Sequence, residues 1–162
     1  MSTEFFLTLA EVKIMEVFYG KPEDIKGWMS LVGEISKSFP GLETQEALAE
    51  HRKTVLEFMS RKEALCIKQE GKIIGVLLFS KELNMICCLG VSPARRRCGA
   101  ASALMEKALS LLDGTREITV STYRAGDEKG AAARAFYKKF GFCEGELVEE
   151  FGYPSQVFVL KP

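Results

Sequence analysis

The sequence predicts an α/β fold of the α+β type: a mixed, mostly antiparallel central sheet of about six to seven strands with helices on both faces. Three observations favour it. Segments with apolar residues at helical spacing are interspersed with β-prone runs, a Gly-containing turn joins two such runs, and two more runs end the chain. The 162-residue length suits one domain, expected over residues 13–162, with residues 1–12 as an N-terminal extension of no assigned function.

The first third of the chain predicts a short strand and two helices. Residues 13–18 form a β-prone run, and Pro22 then occupies a position that proline favours at the start of a helix. The apolar residues that follow share one helical face: Ile25, Trp28, Met29, Val32 and Ile35. Residues 39–41 end this helix, and a second amphipathic helix is expected over residues 44–59.

The middle of the chain predicts consecutive strands. Residues 64–69 and 72–79 are apolar runs on either side of a turn at residues 70–71, a pattern that indicates an antiparallel hairpin. Residues 83–91 form the next β-prone run. This run leads directly into a loop with unusual composition.

The last part of the chain predicts two helices and further strands. A helix follows the small residues near position 100, and Gly114 is expected to cap its end. The remaining segments are expected to be a strand at residues 117–123, a loop at 124–130, a helix ending near Phe140, and strands at 142–151 and 156–160 joined by a turn at 152–155.

The run from Cys88 to Ser102 carries the strongest functional signal in the chain. Its β-prone part ends at Ser92 and Pro93, arginines occupy positions 95–97, and Gly99 precedes a helix. The first backbone N–H groups of a helix lack intrahelical acceptors, and the helix dipole adds partial positive charge there. Such a place binds phosphate groups, although the residues alone fit a solvated basic surface equally well.

Residues 96–101, Arg-Arg-Cys-Gly-Ala-Ala, have the form Arg/Gln-x-x-Gly-x-Gly/Ala and follow the strand. They resemble the acyl-CoA-binding signature of the GNAT superfamily of N-acetyltransferases. The resemblance implies that the loop amides hold the pyrophosphate of acetyl-CoA and that the strand pairs with its pantetheine arm. The cofactor-binding residues that it implies are Leu89, Gly90, Val91, Arg96, Arg97, Cys98, Gly99, Ala100, Ala101 and Ser102.

A second segment, residues 133–142, resembles the closing helix and strand of the same superfamily, in which Ala-x-x-x-Tyr-x-x-x-Gly-Phe recurs. The resemblance implies that Tyr137 is catalytic: it lies near the thioester sulfur and protonates the departing thiolate, a role that suits a phenol. The residues alone allow another interpretation. Tyr137 shares a helix face with Phe136 and Phe140, so it also fits as an ordinary core aromatic.

The resemblance implies a GNAT-like fold and a transferase that moves an acetyl group from its co-substrate acetyl-CoA to a primary amine of a small molecule or protein. We expect direct attack by the amine because no activated nucleophile is evident. A catalytically weak module that senses acyl-CoA is an alternative. Nucleic-acid binding through residues 95–97 is a weaker one, since no aromatic residues are interleaved with the arginines.

The sequence does not identify the general base. Many members of the superfamily carry a glutamate on or beside the central strand, but residues 84–91 contain no carboxylate. Glu34, Glu82 and Glu149 are candidates, and a water chain that ends at solvent would also serve. The single histidine, His51, lies among apolar positions of a predicted helix and is expected to be a half-buried packing residue.

Two further features concern substrate contacts. Members of the superfamily often have an asparagine that bonds the pantetheine arm where this chain has Gly130, so one cofactor contact is missing. Their acceptor site is built from the first two helices and the last two strands. Trp28, Phe39 and Tyr153 are the aromatic residues best placed to line it, although core or turn packing explains each one singly.

The composition of the chain indicates which kinds of partner it binds and in which cellular compartment it lies. The chain has 22 basic and 22 acidic residues and no apolar stretch of membrane-spanning length, so neither nucleic-acid nor membrane binding is expected. Its five cysteines include no pair with zinc-site spacing, which predicts no metal and free thiols in a reducing cytoplasm. We expect a monomer or a homodimer.

Overall fold

A computed structural model of the protein describes residues 15–162. The predicted extension, residues 1–12, lies outside the described residues. The strands are β1 (Phe18–Tyr19), β2 (Ala64–Gln69), β3 (Lys72–Ser80), β4 (Met85–Val91), β5 (Ile118–Tyr123), β6 (Cys143–Glu150) and β7 (Tyr153–Leu160). The helices are α1 (Ile25–Ile35), α2 (Gln45–Ser60), α3 (Ala100–Leu111) and α4 (Ala131–Lys139).

The strands form one 7-stranded sheet in the order β1-β2-β3-β4-β5-β7-β6. Neighbouring strands are antiparallel, except that β4 and β5 run parallel. This confirms the predicted mixed, mostly antiparallel sheet. The parallel pair requires a crossover connection, and α3 supplies it.

The two faces of the sheet bury separate apolar cores. Because side chains alternate along a strand, Leu65 and Ile67 of β2 pack in the core that contains α3 and α4, whereas Ala64 and Cys66 pack in the core that contains α1 and α2. Helices therefore cover both faces, as predicted. Within residues 15–162, no helix combines the length and apolar character that crossing a membrane requires.

Strands β4 and β5 pair over only two residues and then separate. Met85 pairs with Thr119 and Ile86 with Val120, and no further pairs join β4 to β5 among the described residues. Beside this point β4 carries a bulge, since Phe79 and Leu78 of β3 pair with Ile86 and Cys88 and skip Cys87. A bulge bends its strand. The remainder of β4 thus diverges from β5 and leaves a cleft.

Asn84 fixes the closed end of this cleft. Its side chain is 2% exposed and donates to the carbonyls of Asp113 (3.0 Å) and Glu117 (2.9 Å), while its Oδ1 accepts from the Asp113 amide (2.9 Å). It has φ 52, a left-handed conformation that asparagine tolerates better than most residues. One side chain therefore joins the start of β4 to the segment between α3 and β5.

Three predicted boundaries were wrong. Residues 15–17, expected to belong to the first strand, lie outside it, and β1 consists of Phe18–Tyr19. Gly114 does not cap α3, because the helix ends at Leu111 and the extended residue Leu112 follows it as the C-cap. The last turn consists of Phe151 and Gly152, both left-handed with φ 52 and 72, and Tyr153 already lies in β7. A tight turn with two left-handed residues matches the twist of paired strands, so strand pairing extends past the proline at position 154.

Candidate active site

The cleft between β4 and β5 has a volume of about 710 Å³. Its walls come from the diverging strands, the loop before α3, helix α4, the segment after α1 and the β6–β7 hairpin. Predicted site residues that line it are Leu89, Gly90, Val91, Arg96, Arg97, Gly99, Ala100, Ala101, Ser102 and Tyr137. Segments far apart in the chain thus meet in one cleft.

The loop before α3 presents several backbone N–H groups to the cleft. The first hydrogen bond of the helix runs from the Ala103 amide to the Gly99 carbonyl (3.0 Å), so helix geometry leaves the amides of Ala100, Ala101 and Ser102 without an intrahelical acceptor. The first turn carries no acidic side chain. These amides are therefore available to an anion, and the helix dipole favours one there.

Backbone conformation shapes this loop. Arg97 has φ 64 and Gly99 has φ 89, so the chain takes two left-handed turns within three positions. Consecutive residues that alternate between left-handed and right-handed backbone conformations direct their N–H groups into one concave site, which suits phosphate. A Cβ placed on Gly99 would find no heavy atom within 4 Å, which means that the space beside its backbone is open.

Cys98 is the one predicted cofactor residue that does not line the cleft. Its thiol is exposed and donates to the Arg95 carbonyl. Any contribution that it makes to anion binding comes through its backbone. All five cysteines are free thiols, and no group of three potential metal-ligating side chains occurs among residues 15–162.

The edge of β4 that faces the cleft has free backbone groups. The Ser92 amide donates to the Ile74 carbonyl of β3 (2.8 Å). Since backbone groups alternate in direction along a strand, those of Gly90 also point toward β3, and those of Leu89 and Val91 point toward the cleft. A linear ligand carrying amide groups can pair with this edge as an added strand would.

Gly90 allows the end of α1 to lie against β4. A Cβ at this position would come within 2.3 Å of Ile35 Cδ1 and 3.5 Å of Phe39 Cζ. Both of these side chains line the cleft. Gly90 therefore contributes by its lack of a side chain, which brings an apolar wall close to the free strand edge.

Tyr137 lies at the closed end of the cleft. Its side chain is 7% exposed and packs edge-on against Phe142 (5.9 Å between ring centroids) and Phe158 (6.2 Å). Burial raises the pKa of its hydroxyl well above the usual range, and the nearby Cys88 thiol adds to this rise. The phenol therefore keeps its proton at physiological pH, and its ring is held in a fixed orientation.

The cysteines beside Tyr137 are not activated nucleophiles. Burial raises the pKa of Cys88 to about 12. Desolvation raises the pKa of Cys87 to about 11, and the negative charges of Glu63 and Glu150 add to the rise. A thiol is nucleophilic as the thiolate, so both groups are poorly suited to carry an acyl intermediate.

The predicted candidates for a general base do not line the cleft. Glu34 is exposed and accepts a hydrogen bond from Ser92 Oγ (3.1 Å), just beyond the end of β4. Glu82 and Glu149 are exposed. His51 is half-buried on α2, burial lowers its pKa, and its Nε2 has no hydrogen-bond partner among the described residues.

Sequence reasoning missed Glu150, a half-buried carboxylate that lines the cleft. Its Oε1 accepts a hydrogen bond from Ser121 Oγ of β5 (2.8 Å). Successive residues of a strand face opposite sides, so Glu150 faces the cleft and its neighbour Glu149 faces solvent. A prediction of the strand register would have been needed to choose between them.

The three predicted acceptor-site aromatics have different environments. Phe39 lines the cleft, whereas Trp28 is 1% exposed in the core. Tyr153 donates its hydroxyl hydrogen to Asp127 Oδ2 (2.5 Å) and packs edge-on against Tyr123. The sequence reading missed Tyr123, which lines the cleft and donates to the Ser38 carbonyl, joining β5 to the segment after α1.

Tyr123 also explains Gly130. A Cβ on Gly130 would lie 2.2 Å from Tyr123 Cβ and 2.8 Å from its Cγ. Because the conformation of Gly130 is right-handed, with φ −101, glycine is required here by space and not by backbone strain. The asparagine expected from the resemblance would therefore not fit beside Tyr123.

Comparisons with known proteins agree with this geometry. The chain matches the family model for the acetyltransferase (GNAT) family over residues 28–142. No curated protein matches it. It is similar to a GNAT-family acetyltransferase structure from Bacillus cereus, with 19% identity, 92% of this chain and 98% of that chain covered, and a TM-score of 0.70.

A second similar structure is the PaiA N-acetyltransferase from Thermoplasma acidophilum in complex with coenzyme A. Its identity is 16%, the match covers 93% of this chain and all (100%) of that chain, and the TM-score is 0.68. A Staphylococcus aureus N-acetyltransferase has 17% identity, coverage of 92% and 99%, and a TM-score of 0.68. At these identities the structures establish a shared fold.

Proposed function

The chain belongs to the acetyltransferase (GNAT) family, and on that premise we propose that it transfers an acetyl group from acetyl-CoA to a primary amine by direct attack. One observation carries the proposal. The anion-binding loop, the free edge of β4 and the buried phenol of Tyr137 line the same cleft, although the chain separates them widely. An acyl-CoA requires these three features in that order: phosphate contacts, amide pairing and a proton donor at sulfur.

The loop and the strand hold the donor in this proposal. Amides of residues 99–102 bind the pyrophosphate, with Arg96 and Arg97 beside them, and amides of the β4 edge pair with the pantetheine arm. A β4 amide near Leu89 also polarises the acetyl carbonyl, because charge develops on that oxygen during attack. The PaiA structure with coenzyme A supports the proposal by family likeness.

Tyr137 acts as the general acid. The attacking amine forms a C–N bond to the acetyl carbon, the C–S bond breaks, and the thiolate of CoA takes the hydroxyl proton of Tyr137. A proton lost from the nitrogen restores the phenol. Direct attack is favoured over an acyl-cysteine because the thiols of Cys87 and Cys88 hold their protons, with pKa values raised to about 11 and 12.

We also propose that residues 13–162 form one N-acetyltransferase domain; the family match covers residues 28–142 of it. We assign the protein to the cytoplasm because all five of its cysteines are free and thiols persist in a reducing compartment.

Calorimetric titration of the purified protein with acetyl-CoA, CoA and ATP tests the donor site. We expect micromolar binding of both CoA species and much weaker binding of ATP. An amine panel then tests turnover by release of free CoA. Binding without turnover of any amine would favour the alternative function, a module that senses acyl-CoA, and absence of binding would contradict both.

A further inference from the structure

Charge is separated along the cleft. Among the described residues that line it, the cations are Arg95, Arg96, Arg97 and Lys129, and the only carboxylate is that of Glu150. The three arginines follow the far end of β4. Glu150 lies near the beginning of the gap, because it accepts a hydrogen bond from Ser121, which follows Val120, the last residue of β5 that pairs with β4.

Glu150 and Tyr137 therefore approach the same end of the cleft from different walls. Tyr137 packs against Phe158, which pairs with Val120, a member of the last residue pair that joins β4 to β5. Glu150 accepts a hydrogen bond from Ser121, the next residue of β5. Cys87 and Cys88 are adjacent on β4, at the point where β5 departs. A proton donor and a carboxylate thus both line the cleft at the start of the open strand edge.

The wall near Glu150 is mostly apolar. Ile35, Phe39 and Pro40 come from α1 and the segment after it, and Phe151 comes from the β6–β7 turn. The bond from Tyr123 to the Ser38 carbonyl ties that segment to β5. A ligand in this part of the cleft meets the carboxylate of Glu150, several hydroxyls and apolar side chains, whereas the three arginines follow the far end of β4. The other lining cation, Lys129, precedes Gly130, which lies against Tyr123.

From this arrangement, which rests on the proposed acetyl transfer, we propose that the acceptor is a small cationic amine with an apolar body and that Glu150 binds its ammonium group and acts as the general base. Ser121 holds the carboxylate toward the cleft. A half-buried carboxylate in such surroundings pairs with an ammonium more favourably than an exposed one does. A carboxylate on the acceptor would be repelled by the charge of Glu150.

The proton balance follows from these positions. An ammonium cannot attack, so Glu150 first takes one proton and frees the lone pair of the nitrogen. The amine then forms the C–N bond, the C–S bond breaks, and Tyr137 protonates the thiolate. The second nitrogen proton restores Tyr137, and Glu150 releases its proton to solvent. The products are the N-acetylated amine, CoA and one proton.

Phenethylamine and phenylalanine form a matched pair of probes, because they share an aromatic arm and differ by one carboxylate. We expect kcat/KM for phenethylamine to exceed that for phenylalanine by at least about tenfold. Glu150→Gln should lower kcat/KM for phenethylamine by about a hundredfold and reduce the preference between the two amines. Glu150→Asp should recover part of the rate.

Glu149→Gln is the matched control, since it removes the same charge from the neighbouring position that faces solvent, and it should leave both rates within twofold. Acetyl-CoA affinity, measured by calorimetry on each variant, should remain at the wild-type value. That measurement also establishes that Glu150→Gln is folded.

Four results would overturn the inference while leaving acetyl transfer intact: a preference for phenylalanine, wild-type rates in Glu150→Gln, an equal loss in Glu149→Gln, or more efficient acetylation of a lysine-containing peptide than of phenethylamine. A different result is expected if the proposed acetyl transfer itself is wrong. In that case wild type releases no CoA with any amine, including the peptide, and this inference falls with it.

Discussion

At the scale of single residues, two kinds of glycine determine the cleft. Gly99 is needed for its left-handed conformation, with φ 89, and the space beside it is open. Gly130 is needed because Tyr123 leaves no room for a Cβ, and a Cβ on Gly90 would displace the end of the Ile35 side chain. A glycine in the sequence does not reveal which requirement applies, since conformation and space are both properties of the folded chain.

Gly99→Val tests the phosphate-binding loop. The new side chain would fill the open space beside the loop amides and would strain a left-handed residue, so we expect acetyl-CoA affinity to fall at least about a hundredfold, or about 2.7 kcal/mol. Calorimetry measures this loss, and circular dichroism checks the fold.

Gly126→Val is the matched control for Gly99→Val. Gly126 has φ 88 and open space around it, nearly the same conformation and surroundings as Gly99, but it does not line the cleft. It should carry the same backbone strain and bind acetyl-CoA normally. Wild-type affinity in Gly99→Val, or an equal loss in Gly126→Val, would contradict the phosphate site.

Tyr137→Phe tests the general acid. Removing the hydroxyl leaves the ring packed against Phe142 and Phe158, so we expect kcat to fall by about tenfold to a thousandfold with acetyl-CoA affinity within twofold of wild type. Tyr19→Phe, which removes a hydroxyl from a half-exposed side chain on β1, serves as the control. Unchanged turnover with a good acceptor would remove Tyr137 from the mechanism.

At the scale of secondary-structure elements, the important feature is the brief pairing of β4 with β5. The two pairs at residues 85–86 and 119–120 define the closed end, and the bulge at Cys87 turns β4 away from its neighbour. The free edge beyond this point is both the proposed pantetheine contact and one wall of the proposed acceptor pocket. In this proposal, the residues of the free edge act through backbone groups that β5 leaves unpaired, more than through their side chains.

Asn84→Ala tests whether the closed end depends on one side chain. The change removes three hydrogen bonds to backbone groups of Asp113 and Glu117 and places alanine at φ 52. We expect the free energy of unfolding to fall by about 3 kcal/mol in chemical denaturation.

Asn84→Gly separates the two causes, because glycine removes the same hydrogen bonds and adopts the left-handed conformation without cost. It should be about 1 kcal/mol less destabilised than Asn84→Ala. A loss below about 0.5 kcal/mol in the alanine variant would show that other contacts fix this end of the cleft.

At the scale of the whole molecule, the sheet separates two cores and the cleft lies where their helices meet the diverging strands. Helix α1 from one core and helix α4 from the other both contribute side chains to its walls. A ligand that fills the cleft therefore contacts both halves of the fold. Its binding free energy should stabilise the molecule as a unit.

Thermal unfolding with and without acetyl-CoA measures this coupling. At a free ligand concentration 100 times Kd, the expected stabilisation is about 2.7 kcal/mol, which corresponds to a rise in Tm of about 5 to 10 °C for a chain of this size. Because its affinity is expected to be at least about a hundredfold lower, Gly99→Val should show a rise of no more than about 1 to 2 °C at the same concentration. An unchanged Tm in the wild-type protein would contradict binding in the cleft.

The sequence by itself determined the family, the mixed and mostly antiparallel sheet, and the loop and tyrosine proposed for the donor. These features depend on short-range patterns, because hydrophobic period, turn residues and motif spacing are all local properties of the chain. The tertiary structure alone decided the rest. It placed Glu150 in the cleft and Glu149 outside it, set Tyr123 against Gly130, and bonded Glu34 to Ser92 beyond the end of β4. Each of these outcomes depends on strand register and on contacts between distant segments, and a one-residue change of register would reverse which side chain faces the cleft.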